Sequence, residues 1–240
     1  AADEEALGTV ANYATAASEA AIVDKSAAKA YSDVVVTIGG TATTVDNIVT
    51  LTGLGVTLPN IAFTLAANEE LLGTVADYAT AASEAAIVDK SAEKAYSDVV
   101  VTITAATTVA NIEALTGLGV TLGNITYTLA AGQEVLGSQD LADIGALVDI
   151  VGGASNFATT DATVTVNGTS TTVDQVSTLM TTDGMALANI TFTLAADEEA
   201  LGTVANYATA ASEAAIVDKS AAKAYSDVVV TIGGTATTVD

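Results

Sequence analysis

Residues 195–240 repeat residues 1–46 without a single difference. Domains that merely share a fold drift apart in sequence, so an identical copy marks this chain as a stretch of tandem array. Asp240 matches Asp46, after which the first copy continues with NIVTLTGLGVTLPNIAFTL. The expectation is therefore that the array runs past both ends. A finer period lies inside the identical one. Units span residues 1–65, 66–129 and 130–194, with 195–240 a partial copy of the first. The second unit follows the first closely up to Ile103. The third diverges, replacing TVANYATAASEAAIVD with SQDLADIGALVDIVGG.

Each unit carries two strand-like runs. The first is Asp33–Ile38, matched by Asp98–Ile103, Asp161–Val166 and Asp227–Ile232; the second is Asn60–Leu65, matched by Asn124–Leu129 and Asn189–Leu194. Val34, Val36 and Ile38 share one face by the two-residue period, and Val35 and Thr37 share the other. The second face holds small or apolar residues rather than charges, which predicts a parallel sheet covered on both sides.

Helical spacing fills the gaps. Val45, Ile48, Leu51 and Leu54 recur every three residues. Thr43 with Asp46, and Thr171 with Asp174, fit a capping box, and Gly53 and Gly55 supply a stop. The stretch from Asp3 to about Ala30 reads as a longer helix, or as two short ones with a kink near Gly8. Its opening acids Asp3, Glu4 and Glu5 suit a helix N-terminus. Its face is Leu7, Val10, Ala14, Ala17 and Ala21, and the third unit has the stronger stripe Leu141, Ile144, Leu147, Val148 and Val151.

Alternating strands and helices imply parallel pairing. Repeated without end, the order predicts an α/β open solenoid with a parallel sheet. At ~4.8 Å between strands, two strands per unit give roughly 10 Å of rise. The alternative is a chain of β-rich, pilin-like domains joined by strand exchange.

Composition narrows the function classes. Net charge is −23, and the chain contains no His and no Cys. Such a field repels phosphate backbones, so nucleic acid is excluded as a partner and anionic membrane surfaces are disfavoured. Without His or Cys there is no Ser-His-Asp triad, no thiol nucleophile and no ordinary zinc site. The expectation is no enzyme, no catalytic residue and no cofactor. No signal peptide is visible, and no apolar run reaches the ~18 residues of a membrane span, so no membrane insertion is expected.

Several polar positions recur. Asp33, Asp98, Asp161 and Asp227 open the first strand. Stacked in a row they would repel, which makes them either solvated caps or candidate ligands for calcium, the hard cation that an oxygen-only donor set suits. Asn60, Asn124 and Asn189 open the second strand, where an Asn side chain satisfies backbone groups at a bend. Asn47, Asn111 and Gln175 recur in the short helix. Asn124-Ile-Thr, Asn167-Gly-Thr and Asn189-Ile-Thr are also glycosylation acceptor sequences, bringing glycans in as an alternative. Lys25 and Lys29 recur as Lys90/Lys94 and Lys219/Lys223; beside Glu19 and Asp24 they read as a solvated helix face. Lysine crosslinks to Asn or Asp are the alternative, without an identifiable catalysing acid.

The alternation of VTIGGTATTVDNIVTL with NITYTLA resembles the tandem repeats of giant bacterial surface and extracellular proteins of cyanobacterial type, along the whole chain. The resemblance implies a secreted structural or adhesive role and carries over no catalytic residue. The expected function is a repetitive, self-associating subunit of an extracellular filament, sheath, surface fibre or biofilm matrix. The alternative is the stalk or spacer of an adhesin, or a calcium-stabilised cell-surface binding module.

Overall fold

The computed structural model describes residues 3–26, 28–40, 42–91, 93–168, 170–220 and 223–233. The chain divides into two compact units, Ala1–Thr128 and Leu129–Asp240. The first contains β1 (Ala6–Val10), α1 (Tyr13–Asp24), β2 (Val35–Ile38), α2 (Val45–Gly53), β3 (Ile61–Ala62), β4 (Leu71–Val75), α3 (Tyr78–Lys90), β5 (Val100–Ile103), α4 (Val109–Leu118) and β6 (Ile125–Thr126). The second contains β7 (Val135–Gln139), α5 (Leu141–Gly153), β8 (Thr163–Val166), α6 (Val173–Thr181), β9 (Ile190–Thr191), β10 (Ala200–Val204), α7 (Tyr207–Lys219) and β11 (Val229–Ile232). The fold is mixed α/β.

The strands form separate parallel sheets, β1-β2-β3, β4-β5-β6, β7-β8-β9 and β10-β11. Isolated parallel bridges from Thr43 to Leu65 and from Thr171 to Leu194 extend the outer pairings. Every ladder between these strands is parallel and a helix separates each successive pair within a sheet, so the β-rich pilin-like alternative does not describe this chain.

A complete repeat has three strands rather than two. The additional strand, β1 and its copies, lies inside the stretch expected to be helical, and the helix itself starts only at Tyr13. Gly8, Gly73, Gly137 and Gly202 all adopt positive φ, between 66° and 71°. Each marks a register shift between the paired strands. A Cβ on any of them would meet open space. Backbone conformation therefore fixes the glycine: a bulge of this kind puts its residue in the left-handed region. The bulge also breaks the two-residue period and leaves Val10 the one buried residue of β1.

The helices of a repeat cover one face of its sheet. Val34, Val36, Ile38, Ile61, Phe63 and Leu65 are buried beside Ala16, Ala20, Ile48 and Leu51. Each buried Val, Leu or Ile contributes about 1.5–3 kcal/mol. The other face stays open: Val35, Leu71, Val100, Val135 and Val229 are exposed. The expectation of a sheet covered on both sides is thus corrected. Short parallel strands with Thr on the open face are satisfied by one helical layer.

Other expectations shift by small steps. Thr43 is buried and bridged to Leu65, so the cap of α2 is Thr44, whose Oγ1 accepts from the Asn47 N–H at 3.3 Å. Thr108 and Thr172 cap α4 and α6 in the same way. Leu54 lies past α2 and is exposed. The buried side of α1 is Ala16, Ala20 and Val23, not Ala14, Ala17 and Ala21. In α5 the expected stripe holds at Ile144, Leu147, Val148 and Val151, with Ile150 added.

Candidate functional site at the repeat junction

Within each compact unit, one repeat packs on the next through helices: α2 against α3, and α6 against α7. At these junctions Ile87, Val88 and Ser91 of α3 and its C-terminal cap are buried, as are Ile216, Val217 and Ser220 of α7. The apolar residues supply the non-directional part of the attraction.

The directional part comes from carboxylates. The Val45 N–H, at the start of α2, donates to Glu69 Oε2 at 2.7 Å. The Val173 N–H, at the start of α6, donates to Glu198 Oε2 at 2.7 Å. Each glutamate belongs to the following repeat, so it satisfies an orphan donor and the positive end of its neighbour's helix together. Such a charge-assisted bond contributes about 1.5–3 kcal/mol. The opening acids of a repeat do serve a helix N-terminus, but that helix belongs to the preceding repeat. Their own stretch enters a strand, not a helix. The second junction is closed further by Lys219 Nζ donating to the Ala188 carbonyl at 2.7 Å and by the Leu194 N–H donating to Ser220 Oγ at 3.4 Å.

The junctions also bring like charges together. Burial, then the neighbouring charge of Asp46, holds the Glu84 carboxyl above the usual glutamate range. Burial and Asp174 do the same at Glu213.

Inside each repeat an ion pair ties the entry of the first strand to the loop after the helix. Lys29–Glu5 and Lys94–Glu70 are both 2.8 Å long, and Lys223–Glu199 is 2.6 Å. Hydrogen bonding to the lysine is the largest influence lowering the pKa of Glu5, Glu70 and Glu199. Lys29 is therefore not on a helix face, which corrects its expected pairing with Glu19 and Asp24: α1 has ended at Asp24. The third repeat departs from the pattern. Phe157 precedes Asp161 by the interval at which Lys29 precedes Asp33.

The four candidate metal ligands lie in separate, exposed 3-10 turns ahead of the strands. The N–H groups of Ala30, Ala95, Ala158 and Ala224 donate to the Oδ2 atoms of Asp33, Asp98, Asp161 and Asp227 at 2.8–2.9 Å. Each carboxylate thus closes its own turn. Among the described residues no three His, Cys, Asp or Glu side chains group as a metal ligand set.

The asparagines bridge neighbouring turns. Asn60, Asn124 and Asn189 Nδ2 donate to the carbonyls of Ser32, Ser97 and Thr160 at 3.2, 3.3 and 2.8 Å. These are the backbone-satisfying roles expected at a bend. In two of the three acceptor sequences the amide nitrogen that would carry a glycan is thus engaged. Asn167 is exposed, and Thr169 of its sequence lies outside the described residues. Asn47 and Asn111 donate to Thr43 and Thr107 Oγ1, while Gln175 Oε1 accepts from the Thr172 N–H.

In the first repeat Ile22 and Ser26, the counterparts of Ile87 and Ser91, are exposed. Glu4, Leu7, Glu19, Ile22, Val23 and Ser26 line a cleft of about 440 Å³ there together with Lys29. None of the described helices is long and apolar enough to cross a membrane. No family model, curated protein or solved structure matches the chain.

Proposed function

We propose that this chain is a non-catalytic structural element, a solenoid of stacked strand–helix repeats that builds an extracellular filament, sheath or surface fibre. The observation that carries this reading is the junction. Within each compact unit the second repeat offers a carboxylate to the helix N-terminus before it and buries an Ile-Val pair at the junction. A repeat that completes its neighbour's helix cap and apolar core is built for succession rather than for isolation. The oxygen-rich, His-free and Cys-free composition, and polar side chains engaged in turns and caps, support a scaffold over an enzyme. The exposed strand face of alternating Val, Leu and Thr supports contact between arrays.

Electron microscopy of a chain extended by further copies of the 1–194 period tests the reading. A continuous rod is the expected image; beads on flexible linkers overturn stacking. Immunogold labelling of intact cells with antibody to the repeat tests the location, and label confined to the cell interior overturns it.

A further inference from the structure

An all-parallel sheet is ordinarily covered on both faces. Here one layer of helices is enough to fold the repeat, and the other face is open in the complete second and third repeats as well as in the first. Its residues form rows that run from strand to strand. Leu71 pairs with Val100, and Val135 with Thr163. In the next row Thr74 pairs with Thr102 and Thr102 with Thr126, while Ser138 pairs with Thr165 and Thr165 with Thr191. The same row holds Thr9, Thr37 and Ala62 in the first repeat and Thr203 and Thr231 in β10-β11. All of these are exposed except Thr102 and Thr163, which are half-buried. The glycine bulge makes the rows possible. Leu71 and Thr74 are three residues apart, and without the extra residue the two-residue period would set them on opposite faces.

Charge says what can cover this face. No described strand contains a charged residue, in a chain of net charge −23. Acids stand instead in turns and on helices, as Asp33, Glu19 and Glu84 do. Two copies of such a polyanion repel wherever acids meet, and the open sheet face lets them approach without that repulsion. We propose that the open sheet face is a docking surface for the same face of a second copy, so that arrays pair side by side. The contact is isologous, one patch meeting itself across a two-fold axis. A threonine hydroxyl both donates and accepts, so a Thr row is its own complement. Leu71, Val100 and Val135 leave water in the same contact, with the two faces about 10 Å apart.

Area decides how many repeats the contact needs. Three strands about 4.8 Å apart and about four residues long present roughly 200 Å². A stable interface takes about 800 Å² from each partner. The sheets β1-β2-β3, β4-β5-β6 and β7-β8-β9 of residues 1–194 fall short of that, so one period pairs weakly and further periods add by avidity. The inference rests on the stacking reading, under which the open faces of successive repeats follow one another along the array.

Sedimentation equilibrium at equal repeat concentration tests this on the unmodified chain and on a chain extended by further copies of the 1–194 period. The extended chain is expected to associate at a concentration at least about tenfold lower than the unmodified one. Thr74→Lys with Thr165→Lys in every period is expected to weaken that association at least about tenfold, because each lysine is desolvated against the partner's face. The same charge change on exposed helix positions, Ser83→Lys with Ala146→Lys, is expected to leave it unchanged or strengthen it, since the net negative charge falls. The milder pair Leu71→Thr with Val100→Thr keeps strand-forming residues on the exposed face and is expected to weaken association by a smaller factor. Equal weakening by T74K/T165K and S83K/A146K overturns the proposal. So does an extended chain that stays monomeric, including one that adsorbs to a neutral polysaccharide instead. The two readings fail separately: a rod in the microscope from monomeric extended chains overturns face pairing alone, and beads overturn stacking.

Discussion

Residues 1–46 and 195–240 are one sequence in two environments. In the first copy Ile22 faces a cleft, while Val36 of β2 is 2 % exposed beneath α2 and β3. In the last copy Ile216 is covered by the preceding repeat, while Val230 of β11 is 36 % exposed. The two copies thus differ in which side a neighbouring segment covers. A repeat therefore has two apolar flanks, one served by the repeat before it and one by the helix and strand after it. Neither flank is a defect of the sequence. Both are halves of an interface, as expected for a unit too small to bury its own core.

The largest effect that breaks this symmetry is expected at the paired isoleucines. Ile216→Ala should lower the stability of the Leu129–Asp240 unit by about 2–5 kcal/mol, the cost of a truncated core side chain, while Ile22→Ala should stay within about 0.5 kcal/mol. Denaturant titration of the two variants reads the difference directly, and equal losses would show that burial at α7 does not distinguish the copies.

Next come the carboxylate caps. Glu198→Ala and Glu69→Ala are each expected to cost about 1.5–3 kcal/mol, against a few tenths for Glu4→Ala. Hydrogen exchange at the Val45 and Val173 amides checks this, because those protons lose their acceptor only in the first two variants. Thr172→Ala removes the cap within the repeat and should cost about 1 kcal/mol.

Acidity sharpens the comparison with two opposite signs. Glu84 and Glu213 have folded pKa values above the usual glutamate value of 4.5. Their charged forms weaken the junctions at neutral pH, so stability there rises as pH falls through the raised folded values. Glu5, Glu70 and Glu199 have folded values below 4.5. The stability they contribute is complete above that value and is lost as pH falls through the lowered folded ones. Mild acid should therefore raise the protection factors of the amides in α3 and α7, measured against intrinsic exchange at the same pH, and stronger acid should then release the ion pairs. Glu84→Gln and Glu213→Gln should abolish the first phase and keep the second. A monotonic loss of protection from neutrality downward in the unmodified chain would contradict this order.

The smallest expected effect belongs to the lysines. Lys29→Ala, Lys94→Ala and Lys223→Ala should each change stability little, because the pairs remain partly open to solvent and are screened there. Melting curves of these three variants should nearly superimpose on that of the unmodified chain. The third repeat, with Phe157 at the lysine position, already folds the same elements without the pair.

Much of the fold was legible because short-range rules act within a repeat. Alternation marked β2 and β3, three-residue spacing marked α2, and the Asn positions announced the bends they satisfy. The first strand was hidden because Gly8 interrupts its period and only Val10 points inward. The carboxylate caps were hidden for a different reason. Acids before an apolar run look alike whether they serve the next helix in sequence or the last helix of the preceding repeat. The one residue between the expected Thr43 cap and the real cap Thr44 is a tertiary effect too, since the bridge to Leu65 claims Thr43 for the ladder.

By itself the sequence determined the repeat, the mixed α/β class and the parallel pairing, because these follow from residue type and spacing. Only the tertiary structure decided which of two identical isoleucines is buried and whose helix a glutamate caps. Burial and capping are properties of what lies opposite a side chain, and two copies of one sequence have the same residues but not the same neighbours.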